Sequence, residues 1–281
     1  MKFFGQHAQN VAQQIVDSFR NPEDLPKVLA TKFLRACCDV PCANWSLLNQ
    51  FVTYMSGTTD ARGMKQWNKV GRKIKKGSKA IWILAPITKK KKEDGDGDDN
   101  EKFFLVGFKA IPVFRYEDTE GEPLPATSEA ERHIESLPLL DVAHKWGIKV
   151  YGGNTITSGA KGMYRYGAVD GRPDEIVLGV ENIDTWCHEL VHAADKRIGG
   201  LKEQDWHREV VADLGSAVLL TMLGRPEEAD LGGCYQYLDT YAKTQGMDVV
   251  KACITTLTRT CECVEMILEA SGVEQEELTG V

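Results

Sequence analysis

DTWCHELVHAADKR, residues Asp184–Arg197, sets two histidines four positions apart with a glutamate directly after the first. On an α-helix, positions i and i+4 are stacked neighbours. His188 and His192 can therefore present their imidazoles to one ion, while Glu189 projects about 100° round the axis toward the adjacent edge. Apolar Ile183, Cys187, Leu190, Ala194 and Ile198 fall mainly on another stripe, so the helix can bury one side and turn its histidines toward a cleft. DEIVLG, just upstream, reads as a strand.

Zinc hydrolases use three protein ligands and leave a position for water, so a third ligand is needed at a workable distance. WHREVVADLGSAVLL, residues 206–220, supplies it. Val210, Val211, Leu214, Val218 and Leu219 mark a buried helix, and Glu209 and Asp213 share one of its faces four residues apart. Charge on a core helix calls for a reason. Glu209 is expected as the third zinc ligand, and Asp213 as hydrogen-bond acceptor for the second nitrogen of a ligand histidine. Asp195 is expected in a similar orienting role. His207 is the rival ligand; it precedes the apolar pattern and is expected to face solvent. With Zn²⁺ held by His188, His192 and Glu209, Glu189 would act as general base in attack on a carbonyl, which makes peptide hydrolysis the natural reaction. The strand Glu175 to Leu178 would offer an edge to an extended peptide substrate. Tyr164 or Tyr166 would steady an oxyanion, or else pack. The competing reading is a chance match on a structural helix; the strand before it and the acidic helix after it weigh against that.

The 281 residues are 42% hydrophobic and 27% charged, a globular composition that suggests about two domains. No run approaches the ~18 to 20 apolar residues of a membrane span, so no membrane partner is expected. The N-terminal MKFFGQHAQNVAQQIVDSF lacks the apolar core of a secretory signal, which points to the cytoplasm. Eight cysteines in mostly apolar or helical contexts read as reduced thiols, and RACCDVPC has no matching second pair for a zinc knuckle.

The net charge of −7 hides an asymmetry: residues 1–125 carry +5 and residues 126–281 carry −12. Within 27–92 there are 15 Lys and Arg against 2 Asp and Glu. Lys65, Lys69, Arg72, Lys73, Lys75, Lys76 and Lys79 are interleaved with Trp67 and Trp82, and Trp45, Phe51 and Tyr54 lie just upstream. Cations that track phosphates beside aromatic faces that stack on bases are the combination expected for single-stranded nucleic acid. The candidate binding residues are Trp67, Arg72, Lys73, Lys75, Lys76 and Lys79; the alternative is a solvated basic face whose tryptophans belong to a core. The lysine run 89–92 is less specific.

Along the chain, Val11, Ile15, Val16 and Phe19 predict an amphipathic helix over 6–20 that stops before Pro22. NWSLLNQFVTYMSG predicts a second helix, ended by Gly57. A strand is expected from Ala80 to Ala85, closed by Pro86, and another in FFLVGFKAIPVFRY. The low-complexity KKKKEDGDGDDNEK between them reads as an exposed hairpin loop. Turn-rich EDTEGEPLPATSEAE places a domain boundary near Pro125, giving domains 1–125 and 126–281. A helix is expected around 128–146, then short strands at Lys149 to Tyr151, Gly162 to Tyr166 and Glu175 to Leu178, then a mainly helical remainder.

NWSLLNQFVTYMSG, KQWNKVGRKIKKGSKAIWILAP and FKAIPVFRYEDTEGEPLP resemble successive motifs of the N-terminal single-stranded-DNA-binding domain of ArdC-type antirestriction proteins. TWCHELVHAADKR with REVVADLGSAVLL resembles the zincin-like metallopeptidase domain that follows in that family. The resemblance spans roughly residues 8–225 in conserved order. It implies an α+β protein with a small sheet-plus-helix nucleic-acid-binding domain and a mainly helical zincin-like metallopeptidase domain. It also implies a role in protecting incoming plasmid or phage DNA from host restriction. By the same resemblance, Trp67, Gly71, Arg72, Lys75, Lys76 and Gly77 match the DNA-domain core, and His188, Glu189, His192 and Glu209 match the metal site. Two rival functions stay open: a non-enzymatic DNA-protecting module with a structural zinc, and a regulatory protease that cleaves one repressor or DNA-bound protein.

Overall fold

The structure, a computed structural model, describes residues 1–34, 40–90, 103–124, 139–152, 162–165, 173–178, 182–199, 206–231, 238–240, 242–243 and 246–272. The architecture is α+β, with small sheets and long helices, and the chain divides into two compact units. One comprises Met1–Asp17 and Cys38–Ser128, the other Ser18–Cys37 and Glu129–Val281. Pro125, where the boundary was expected, lies outside the described residues, and the segment Ser18–Cys37 counts with the second unit.

The first unit is built on the antiparallel pair β4 (Ile81–Lys90) and β5 (Phe103–Arg115). Strand β4 does not end at Pro86. Pro86 pairs with Phe108, and the ladder runs on to Lys90 opposite Phe103 after a register shift between Ile87 and Thr88. Among the described strands β4 pairs with β5 alone, and an edge strand accommodates a residue that lacks an N–H. The acidic run expected as the hairpin loop lies outside the described residues.

The free edge of β4 is partly satisfied by a side chain. Asn49, on α3 (Leu47–Met55), donates Nδ2 to Leu84 O at 2.9 Å and accepts Leu84 N–H at 2.8 Å. Its amide does the work of one residue of a missing strand. Ile83 packs with Val113 and Ala61, flanked by Trp45 and Ile81. Short strands complete the sheet: β1 (Phe3–Phe4) runs parallel to β5, and β2 (Ala61–Arg62) antiparallel. Helix α1 (Gln6–Arg20) begins in this unit, α4 (Met64–Lys69) follows β2, and β3 (Lys73–Ile74) pairs with β6 (Thr119–Glu120).

The second unit contains α2 (Leu25–Leu34), α5 (Leu139–Lys145), a three-stranded sheet and three long helices. In the sheet, β9 (Glu175–Leu178) lies between β7 (Lys149–Gly152), to which it is parallel, and β8 (Gly162–Arg165), to which it is antiparallel. The strand expected to be an edge is therefore the central one. Helices α6 (Ile183–Arg197) and α7 (Trp206–Met222) pack closely, with α8 (Val249–Ser271) against both. Gly215 on α7 makes the approach possible, since a Cβ there would sit 2.9 Å from both methyls of Val191. Asn182 caps α6 by accepting Asp184 N–H. Cys42, Cys187, Cys253, Cys261 and Cys263 are buried free thiols, and burial pushes those of Cys187, Cys253 and Cys261 up to about 12. No described helix is long and apolar enough to cross a membrane.

Candidate metal centre and nucleic-acid surface

Helix α6 is buried on more of its circumference than its apolar stripe predicts: Glu189, His192 and Asp195 are buried along with Leu190, Val191, Ala193 and Ala194. The i, i+4 geometry brings the two imidazoles edge to face, with Nε2 of His188 and Nε2 of His192 3.0 Å apart. The first turn of α7 delivers Glu209 to the same point, at 3.4 Å from His188 Nε2 and 3.6 Å from His192 Nε2. Among the described residues, His188, His192 and Glu209 are the group whose ligand atoms converge, all within 4.8 Å. His207 is not part of the cluster and is half-buried rather than solvent-facing.

These spacings fit a small divalent ion. Tetrahedral ligands at zinc distances of roughly 2.0–2.1 Å would stand about 3.3 Å from one another. The three observed separations lie on either side of that value. The donor set of two imidazole nitrogens and one carboxylate also suits such an ion.

Hydrogen bonding at Nδ1 orients the His188 ring and is missing at Nδ1 of His192 among the described residues. His188 Nδ1 lies 3.0 Å from Asp213 Oδ1, so the nitrogen turned toward the cluster is the one free to act as a donor of its lone pair. Asp195 does not orient a ligand. Its buried carboxylate takes Nε of Arg259 from α8, and Arg259 Nη2 also donates to Asp195 O. His192 Nδ1 is buried and has no hydrogen-bond partner among the described residues. In place of the orienting role expected of it, Asp195 forms an ion pair with an arginine from a distant helix, which the local sequence does not signal.

The local field is strong. Burial alone would lower the His188 pKa, but hydrogen bonds with Asp213 and Glu209 outweigh it and push the value up to about 10. Hydrogen bonds from His188 and His192 hold Glu209 far below the usual carboxylate range, despite partial burial. Glu189 moves the opposite way, raised chiefly by burial and opposed by both histidines. Strand β8 runs directly over Glu189. A Cβ on Gly162 would lie 2.7 Å from Glu189 Oε1 and 2.5 Å from Thr185 Cγ2, so only glycine permits the approach. Tyr164, on the same strand, donates its hydroxyl to Asp174, which also receives Lys196 Nζ at 2.7 and 2.9 Å. That hydroxyl belongs to a structural ion network and not to an oxyanion site; Tyr166 lies outside the described residues.

The basic segment sorts into interior and surface. Trp67 is 0% exposed, donates its indole N–H to Phe114 O at 3.0 Å and lies under the Arg62 guanidinium, so it offers no face to a base. Arg72 is 5% exposed. It donates to Thr119 Oγ1, Thr119 O, Gly121 O and Glu122 O and stacks on Tyr116, which locks the β3–β6 pair. Both were candidates for nucleic-acid contact and both are structural. Lys73, Lys75, Lys76 and Lys79 are exposed, as are Lys65 and Lys69, and Lys75 Nζ donates to Glu117 O. Trp82 stays within reach of solvent, half-buried like Trp45 and Tyr54, and is stacked on the exposed His7, with centroids 3.7 Å apart and planes within 9°. His7 carried no local signal, because its partner comes from a strand far along the chain.

The chain is similar to the crystal structure of the antirestriction protein ArdC from plasmid R388 in its metal-free form, at 14% identity and a TM-score of 0.61. The match covers 96% of this chain and 99% of that one. The Mn(II)-bound structure of the R388 protein matches at 14% identity and a TM-score of 0.59, over 95% and 98% of the two chains. No protein-family model and no curated protein sequence matches. At this identity the likeness establishes the fold: the chain has the ArdC-type fold over nearly its whole length.

Proposed function

We propose that this chain is an ArdC-like antirestriction protein that binds single-stranded DNA through its first unit and carries a zinc-dependent peptidase centre in its second. Its place of action would be the cytoplasm of a cell receiving plasmid or phage DNA. The observation that carries this reading is the convergence of His188, His192 and Glu209, with Glu189 alongside, in a chain of the ArdC-type fold. The R388 protein has a Mn(II)-bound structure, so manganese is the competing ion.

His188, His192 and Glu209 would hold the ion, and Asp213 fixes the His188 ring for that task. A zinc ion held there would supply Lewis acidity toward a peptide carbonyl and toward water. Glu189 is suited to take a proton from the attacking water and return it to the leaving amine, because burial raises its affinity for protons toward the working range. Among the described strands, β8 has a free edge on the side away from β9, where an extended peptide can pair within reach of Glu189. The exposed lysines of the first unit supply the phosphate contacts, which accounts for the concentration of positive charge there.

Metal analysis of the purified chain should find about one zinc per molecule, retained in Glu189→Ala while peptide hydrolysis disappears. Wild-type protein that holds no divalent metal at this site would sink the enzymatic reading. Charge reversal of Lys73, Lys76 and Lys79 should weaken oligonucleotide binding and flatten its salt dependence; an unaltered slope would place the DNA elsewhere. Restriction protection that survives Glu189→Ala would favour a protecting module over a protease.

A further inference from the structure

The Trp82–His7 stack borders a groove of about 280 Å³ within the first unit. His7, Asn10, Val11 and Gln14 of α1 line one wall, at i, i+3, i+4 and i+7, the spacing of a single helix face. The start of β4, from Lys79 to Trp82, lines the other. We propose that this groove is a nucleobase subsite, in which one unpaired base extends the Trp82–His7 stack while the adjoining phosphate meets Lys79. The proposal rests on the reading that the first unit binds single strands, and it identifies where the base goes.

Four properties favour that ligand. Two nearly parallel rings already in contact form a rigid stacking platform, so little side-chain freedom is lost when a third ring joins. The volume lies just below that of drug-sized ligand pockets, roughly 300–1,000 Å³, which suits one ring system and excludes a paired duplex. The exposed amide of Gln14 supplies a donor and an acceptor to a base edge, and Asn10, whose Oδ1 accepts Gln6 Nε2 at 2.8 Å, adds its Nδ2 donors, without a charge that would select one base. Of the two cations at the groove, Arg115 is committed to Asp118 through Nε at 2.7 Å and Nη2 at 3.0 Å. Lys79 is exposed and has no ion-pair partner among the described residues, which makes it the phosphate contact. Deoxyribose and ribose strands share this chemistry, so both are probes.

Affinity of the full chain for short fluorescein-labelled oligothymidylate and oligouridylate, read by anisotropy across a salt series, tests the proposal. Trp82→Ala and His7→Ala should each weaken binding roughly 5- to 100-fold, the loss of one base–aromatic stack, with the salt slope unchanged. Trp82→Phe keeps a ring and should bind within about threefold of wild type. Lys79→Ala should lower the slope by about 0.7, the signature of one lost phosphate contact on a single strand. His7 is exposed, so its truncation does not threaten the fold. Wild-type binding of both strands with no sensitivity to either truncation would overturn the subsite and leave single-strand binding standing. Failure of the wild type to bind either strand would overturn both readings. Independently of any variant, photocross-linking with an iodouracil-substituted strand should label the peptides containing His7 or Trp82; labels confined to other peptides would refute the assignment.

Discussion

Single side chains decide what the candidate metal centre can do, and two aspartates on neighbouring helices illustrate it. Asp213 touches the His188 imidazole and Asp195 touches an arginine, although both looked suited to orient a histidine. Asp213→Ala should therefore lower zinc affinity about 10- to 100-fold with little loss of stability, measured by competition with a chromogenic chelator. Asp195→Ala should do the reverse. It takes the buried carboxylate from Arg259, which keeps Glu262 Oε2 at 3.4 Å and Asp195 O, and should cost about 1.5–3 kcal/mol in denaturant unfolding, with zinc affinity close to wild type. If Asp195→Ala also lost the metal, the separation of roles drawn here would be wrong. Trp67 and Arg72 teach the same lesson in the first unit: residue type suggested contact with DNA, whereas burial and a full set of hydrogen bonds make each a fold determinant.

At the level of elements, regular periodicity was readable and edges were not. The amphipathic pattern over 6–20 corresponds to α1, the run before Gly57 to α3, and HExxH lies within α6 as its spacing required. Pro86 was misleading because its effect depends on which neighbours a strand has. On a strand with one ladder it is tolerated, and α3 covers the open side through Asn49. Asn49→Ala would leave the Leu84 N–H and C=O buried without partners, at a cost of about 2–4 kcal/mol to the first unit. Urea unfolding followed by a first-unit probe checks this, and a loss under about 0.5 kcal/mol would mean that water replaces the amide. The same dependence on neighbours turned β9 from an expected edge into the centre of its sheet and passed the role to β8, where Gly162 lies against Glu189.

For the molecule as a whole, the two units make separate ligand responses an expected consequence of the design. Zinc at a hundredfold excess over its dissociation constant should stabilise the second unit by about 2.7 kcal/mol, because the cluster forms only when α6 and α7 are packed. Calorimetry with and without chelator should show the shift in the wild type and in Glu189→Ala but not in His188→Ala. An equal shift in His188→Ala would mean that the ion binds elsewhere. By itself the sequence determined what depends on neighbours along the chain: helix periods, the pairing of His188 with His192, the basic character of one segment and the succession of motifs. Those follow from the fixed rise and turn of a helix and from additive charge. Tertiary structure alone decided which tryptophan is interior, which arginine takes Asp195, which strand keeps a free edge, and that His7 meets Trp82. Each of these depends on which surfaces from distant parts of the chain are buried together, and local residue preferences do not encode that choice.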